Sequence, residues 1–423
     1  MSAALVGERR AYEQAVWSWS RHLGSGGSTM WQDWLAQGAT DEEPVPPGWS
    51  PPGAAQLEFL RRVAARHDLP PSALRAVAGL VTGRSGPGRG LGQQPLSWPG
   101  PRGVGSGPRF GAPPVDPSSV PAEELVRVGS GTLTDLLLSA PEPASEEPPR
   151  RTLPTRRRRA RSPAFALAGA PVTTSAVRRA LELAGHVEGG FAPRVVLLAE
   201  PFDYALAQAW SARVQRGAPV RWHGFVGRWA GRRELPPSVD LAALAGHWSG
   251  RVGPDAVHVV VAPNGFEDAA RRVAEVLRVG LARRRRPTEA AGDACRDLSP
   301  AAVDVARRVN AVLGVRVRRD RHLVVLSRLV RLLAGPGHAR GHTLTVPPAA
   351  QDWAQRRGEQ LAGDLSAGGY RVHGSLDGVL PRLGALATHP RREDALEVVV
   401  TACVRQARLN TGRPPAVQEA GER

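Results

Sequence analysis

The chain contains no lysine and no isoleucine, so all 56 of its basic residues are arginines. The absence of lysine excludes Schiff-base chemistry and the lysine of a Walker-type phosphate loop. Complete replacement of lysine by arginine is also typical of a very GC-rich coding sequence. The formal net charge of +17 is therefore partly a coding bias, and it favours a nucleic-acid partner less than its size suggests.

Cysteine is scarce as well, because Cys295 and Cys403 are the only two in 423 residues. Two cysteines exclude a disulfide framework and argue against a cysteine-based zinc site. His338 and His342 have the spacing of a helical metal pair, but the surrounding GPGHARGH disfavours a helix. No apolar run approaches the ~18 residues of a membrane-spanning helix, and the first residues lack the regions of a signal peptide. We expect a cytoplasmic protein without a metal or a membrane span.

The first 139 residues have the periodicity of helices. Apolar side chains recur at helical spacing in four segments, which include Tyr12–Leu23, Leu57–Ala64, a helix with Ser72 as its N-cap, and Pro121–Leu137. The glycine-rich stretch 83–117 superficially resembles a phosphate loop. Because no strand precedes it and no helix follows it, we interpret it as an ordinary loop. Residues 1–139 are predicted to form a small helical module.

Residues 140–163 have the composition of a linker. The segment begins acidic and proline-rich and then becomes strongly basic, with most of its arginines between 150 and 161. Charge blocks of this kind cannot bury apolar area and usually stay solvated. The alternative is that the arginines tether the protein to a nucleic acid or to an acidic partner.

After the linker, short apolar runs alternate with helical segments. The runs are 164–168, 195–199 and 257–262. Continuous apolar runs between helices are typical of a parallel sheet that is covered on both faces. We predict an α/β domain over residues 164–390, followed by a C-terminal helix and tail over 391–423.

The turn after the first run is the expected place for a ligand, since ligands bind at the carboxyl ends of parallel strands. A phosphate-binding turn needs glycine, hydroxyl groups and a cation. Val172 stands where a cation would help, whereas Glu200, directly after the second run, is a candidate cleft carboxylate. Of these groups, the glycine is supplied by Gly169 and the hydroxyl groups by Thr173, Thr174 and Ser175.

This region resembles the bacterial sulfotransferase family, particularly its actinobacterial branch. Members open with a strand and a Gly-Ala-Pro-Lys-Thr-Gly-Thr-Thr type loop that binds the 5′-phosphosulfate of 3′-phosphoadenosine-5′-phosphosulfate. The likeness continues in order through VVLLAEPFDYALAQAW (195–210), VHVVVAP (257–263) and the segment from Trp353 to Pro381. It covers about half of the chain and implies a mostly parallel sheet of P-loop or sulfotransferase type with flanking helices.

Three departures from the family pattern concern the cofactor. The loop lysine is replaced by Val172 and the loop glycine by Thr174, and the arginine after the second strand falls on Glu200. Together these losses would remove on the order of 4–8 kcal/mol of binding free energy. The resemblance thus implies a domain that has lost its nucleotide, holds no cofactor and acts as a binding or scaffolding protein for a protein partner.

Two alternatives stay open at this point. Arg178 or Arg179, on the helix after the loop, could rebuild the site and give an active sulfotransferase that uses 3′-phosphoadenosine-5′-phosphosulfate. The arginine-rich linker could instead bind a nucleic acid or an acidic partner.

Overall fold

The computed structural model describes residues 3–38, 43–66, 69–83, 94–98, 113–140, 163–281, 295–334, 344–384 and 387–412. The chain divides into two compact units. The first comprises Met1–Glu142, Ala311–Leu333 and Arg392–Arg423, and the second comprises Pro143–Asn310 and Ala334–Arg391. Residues 141–162 of the predicted linker and the pair His338 and His342 lie outside the described residues.

Helices make up most of the described chain, together with four strands. In chain order the elements are α1 (Ala3–Gly24), α2 (Trp31–Ala36), α3 (Ala54–Ala64), α4 (Pro71–Thr82), α5 (Ala122–Ser139), β1 (Phe165–Gly169), α6 (Pro171–Leu183), β2 (Arg194–Ala199), α7 (Phe202–Gln215), α8 (Trp222–Arg232), α9 (Leu241–Val252), β3 (Val257–Val261), α10 (Phe266–Leu277), α11 (Pro300–Arg316), α12 (Arg319–Leu333), α13 (Gln351–Ala367), β4 (Arg371–His373) and α14 (Arg392–Thr411).

The first unit is helical, and its core forms where α5 packs against α3 and α14. Gly129 of α5 makes this packing close, because a Cβ there would lie 2.5 Å from the Phe59 ring and 2.9 Å from the Val399 side chain. The predicted N-cap at Ser72 is wrong. Helix α4 begins at Pro71, whose fixed φ angle suits the first helical position and whose missing N–H costs nothing there.

The two compact units are defined by contacts between residues. The domain boundaries predicted from the sequence are based on composition instead. Helix α12 contacts α5 and α14, so residues 311–333 are grouped with the helical unit. The proposed boundaries at 139, 163 and 390 therefore stay predictions based on composition.

The second unit contains a four-stranded, fully parallel sheet in the order β1-β2-β3-β4. The α/β class and the parallel sheet are thus confirmed, and the first three strands coincide with the predicted apolar runs. Strand β4 was not predicted, because its three residues include Arg371 and His373 and form no apolar run. Neighbours in the sheet are neighbours in the chain, so the order of the described strands never reverses.

Both faces of the sheet are buried. On one face, side chains of β1, β2 and β3 pack with α6 and α10. The alternate positions point to the opposite face, where those of β2 and β3, such as Val195, Leu197 and Val259, are buried and those of β1 are half-buried. Helix α9 contacts β1, β2 and β3. This arrangement places the β1–α6 turn and the end of β2 at the same edge of the sheet.

Candidate functional site

The β1–α6 turn has little room for side chains. Gly169 ends β1 with a φ of 129°, a conformation that favours glycine, and a Cβ there would meet the Leu198 carbonyl oxygen at 2.5 Å. Helix α6 follows at Pro171 with Ala170 as its N-cap, and Ala170 has no side chain that could accept a hydrogen bond. The first free N–H groups of α6 therefore need an acceptor from another element.

Gln208, on helix α7, provides that acceptor. Its Oε1 accepts hydrogen bonds from the backbone N–H groups of Val172, at 3.1 Å, and of Thr173, at 2.9 Å. Its Nε2 donates to Thr173 Oγ1 at 3.0 Å and to Glu200 Oε2 at 2.6 Å. One buried amide thus satisfies the start of α6 and joins it to the end of β2. The neutral Oε1 of Gln208 occupies the place where a bound phosphate would accept hydrogen bonds from these N–H groups.

Glu200 follows β2 directly and is only 2% exposed. Its Oε1 accepts a hydrogen bond from Thr173 Oγ1 at 2.9 Å. Burial disfavours the charged form and raises the pKa of the carboxyl group to about 7, although the hydrogen bonds from Thr173 and Gln208 act in the opposite direction. Near neutral pH the group is therefore divided between its acid and its carboxylate.

The charges around Glu200 are mainly negative. Asp203 is fully buried on the first turn of α7, and burial raises the pKa of its carboxyl group. Its Oδ1 accepts the backbone N–H of Arg382 at 3.2 Å and lies 3.7 Å from Nε of that arginine. Arg382 lowers the pKa of Glu200 and Asp297 raises it. Among the residues that the structure describes, one arginine thus faces three carboxyl groups, so these groups leave no surplus positive charge for an anion.

A shallow cleft borders Glu200. Its empty volume is about 220 Å³, part of which is open to solvent. Binding pockets for drug-sized molecules usually enclose ~300–1,000 Å³, so this cleft is smaller than a usual ligand pocket. The lining is mostly apolar and consists of Ala170, Leu198, Glu200, Phe202, Ala205, Ser238, Val239, Leu241 and Leu361.

The structure brings together some of the predicted site residues and separates others. Thr173 and Glu200 meet, whereas Thr174 is buried and its Oγ1 has no hydrogen-bond partner among the described atoms. Ser175 is half-buried on α6. Val172, predicted as the position that lacks a cation, contributes its backbone N–H to Gln208.

Arg178 binds to groups at the edge of the sheet, beside strand β1. Its Nε donates to Glu188 at 2.9 Å, and its terminal nitrogen lies 3.4 Å from the Leu167 carbonyl oxygen. Glu188 in turn accepts the N–H of Leu167 at 2.8 Å. The pair satisfies the backbone of β1 where the described sheet ends, a common way to protect an edge strand. Arg179 pairs with Glu182 on its own helix, at 3.4 Å.

Gln208 was missed by the sequence reasoning. It belongs to the segment ALAQAW, in which every neighbouring side chain is apolar, and buried polar groups need partners. A lone amide among apolar residues was therefore the available signal. Its partners could not be read from the sequence, because Thr173 is 35 residues away.

A second polar contact joins β3 to β4. His258 Nδ1 lies 2.9 Å from His373 Nε2, and the two rings are stacked at an angle of 12°. Burial, with His373 and Arg371 nearby, lowers the pKa of His258 to about 4. His258 is thus a buried strand residue whose ring is hydrogen-bonded. Within the described residues, no group of three or more histidine, cysteine or acidic side chains is placed to hold a metal ion.

Comparisons with known proteins add no relative. No family model matches the chain, no curated protein matches it, and no solved structure matches it. Of the helices that the structure describes, none is both long and apolar enough to cross a bilayer.

Proposed function

We propose that the second unit is a sulfotransferase-like domain of P-loop type that has lost its nucleotide and serves as a binding or scaffolding domain for a protein partner. The observation that carries the proposal is the hydrogen bonding of Gln208 to the N–H groups of Val172 and Thr173. These N–H groups are the feature by which a helix N-terminus holds a phosphate. In this chain they already have an intramolecular acceptor.

A phosphate at this position would first have to displace Gln208. The displacement breaks the contacts of its amide with Thr173 and with Glu200. The incoming anion would then lie beside the Glu200 carboxyl group. A Glu200 carboxylate would repel the anion, so nucleotide binding would also require Glu200 to be protonated, and this requirement grows as the pH rises above 7. Both requirements oppose binding.

The described arginines that were expected near the turn do not compensate for these costs. Arg178 and Arg179 make their ion pairs with Glu188 and Glu182, and Arg382 lies beside Asp203. The unreversed strand order is a further argument, because ligands in open parallel sheets bind where the order of strands reverses. The proposal of an active sulfotransferase built on Arg178 or Arg179 is therefore the weaker one.

Thermal unfolding in the presence of adenosine 3′,5′-bisphosphate tests the proposal, with adenosine as the control ligand. We expect the bisphosphate to leave the melting temperature of the wild-type protein unchanged, and to do the same with Arg178→Ala and Arg179→Ala. A stabilisation by the bisphosphate alone that disappears in either variant would establish the rebuilt site and overturn the proposal.

A further inference from the structure

A segment of the second unit carries positive charge without any acidic residue. Between Asp203 and Glu234 the sequence contains no carboxylate. The same interval, from the end of α7 through the whole of α8, contains the arginines Arg213, Arg216, Arg221, Arg228, Arg232 and Arg233. All of them are exposed. We call residues 213–233 the arginine segment.

Several other helical arginines of the chain pair with carboxylates. Glu58 accepts from Arg61 and Arg62, and the carboxylates of Asp268 and Asp304 each accept from two arginines three and four residues further on. Within the described part of the chain, no arginine of the arginine segment has a carboxylate partner. The arginine segment thus concentrates exposed arginines without carboxylate partners in one part of the sequence.

Helix α8 arranges three of these arginines in one line. Arg228 and Arg232 lie four residues apart on one side of the helix, and Arg221, the N-cap residue, precedes Arg228 by seven residues, so the three arginines recur over about 16 Å. The buried Trp222, Phe225 and Val226 anchor the adjacent side of the helix in the unit. The arginines therefore project from a fixed helix.

Glycines lie beside this line. Gly224, Gly227 and Gly231 are exposed, and a Cβ at any of them would have no heavy atom within 4 Å. The helix backbone is thus open next to the guanidinium groups. No large apolar side chain is exposed on this face, although the core of a protein–protein interface normally needs one.

We propose that the arginine segment binds the phosphate backbone of duplex nucleic acid without reading its sequence. Arginine forks match phosphate oxygens in pairs, and contacts of this kind supply most of the affinity of non-specific binding. A straight row of arginines beside an open helix backbone fits a regular row of phosphates better than an acidic protein, whose charges are irregular. The surface is separate from Gln208 and Glu200, so the inference does not depend on the loss of the nucleotide.

Fluorescence anisotropy with a labelled DNA duplex of mixed sequence is the test. We expect binding to weaken steeply between about 50 and 200 mM salt. The combined variant Arg221→Ala, Arg228→Ala and Arg232→Ala should lose roughly 30-fold in affinity, and the slope of log affinity against log salt should fall by about 2–3. A matched variant removes three paired arginines and the same charge, Arg62→Ala, Arg127→Ala and Arg271→Ala. It should bind nearly as the wild type does.

Deletion of residues 150–161 tests whether the duplex is bound by the arginine segment or by the predicted linker. We expect the deletion variant to keep both its affinity for the duplex and its sensitivity to the three substitutions in α8. The proposal is overturned if the deletion abolishes binding, if the two triple variants lose affinity equally, or if the protein binds an acidic peptide but no duplex at low salt.

Discussion

The side-chain oxygen of Gln208 lies 2.9 Å from the backbone nitrogen of Thr173 and accepts its hydrogen bond. This contact joins the N-terminus of α6 to the middle of α7 and puts a neutral acceptor at a position suited to an anion. Glu200 completes the cluster from the end of β2.

Replacement of Gln208 by alanine should lower the free energy of unfolding by about 2–4 kcal/mol, because buried N–H groups lose their acceptor. Chemical denaturation measures the loss. Gln215→Ala is the matched control on the same helix, since Gln215 bonds the backbone of Arg296 in a half-buried place that water can reach. It should cost about 1 kcal/mol. Equal losses in the two variants would contradict the role of Gln208.

Glu200 predicts a pH dependence of stability with a defined sign. Burial raises the pKa of its carboxyl group from 4.5 to about 7, so the folded state holds a proton that the unfolded state has released between these values. Its contribution is complete below the unfolded pKa and is lost as the pH rises through 7, a change of roughly 3 kcal/mol. Glu200→Gln imitates the neutral acid. It should therefore be more stable than the wild type at about pH 8 and similar to it at about pH 4.

Denaturation of both proteins over this range is the measurement. Arg382 and Asp297 also face Glu200 and act on its pKa in opposite directions, so only the difference between variant and wild type is informative. A difference that does not change with pH would mean that the pKa of Glu200 is the same in the folded and unfolded protein, and it would contradict the raised pKa.

His258, which pairs with His373, predicts a pH dependence of stability with the opposite sign. The pKa of His258 is lowered from 6.5 to about 4, so the unfolded state takes up a proton before the folded state does. The stability that this histidine contributes is present above pH 6.5 and is lost as the pH falls toward 4. His258→Val should lose less stability than the wild type over this interval. Denaturation at a series of pH values decides the matter, and parallel curves would refute the lowered pKa.

Substitution of Gly169 by alanine should cost more stability than the same substitution at a glycine with no atoms nearby. In Gly169→Ala the new methyl group meets the Leu198 carbonyl oxygen at 2.5 Å, and the backbone conformation is also unfavourable for alanine. We expect a loss of about 2–4 kcal/mol. Gly185 has a positive φ of 88° but no atom near its would-be Cβ, so Gly185→Ala should cost about 1 kcal/mol. Urea denaturation of the two variants compares them, and similar losses would mean that the turn relaxes.

The sequence was sufficient for the first three strands and insufficient for the fourth strand and for the site. Apolar runs at 195–199 and 257–262 identify strands because burial on both faces leaves few other residues possible. Strand β4 lacks this signal, since Arg371 and His373 are held by pairing with β3 rather than by burial.

The site depended on contacts between distant residues. Glu200 was recognised by its place at the end of a strand, but the role of Gln208 follows only from the packing of α7 against α6. Arg178 was expected near the turn, and it points to the strand edge because Glu188 competes for it. Spacing along the chain gives the position of a charge but not the direction of a long side chain.

The most direct measurement follows the backbone amide resonances of Val172 and Thr173 by NMR during a titration with adenosine 3′,5′-bisphosphate. With Gln208 in place, both resonances should keep their positions and their amide hydrogens should exchange slowly with solvent. Large, saturable shifts of these two resonances at low-micromolar bisphosphate would show that the nucleotide displaces Gln208, and they would contradict the proposed loss of nucleotide binding.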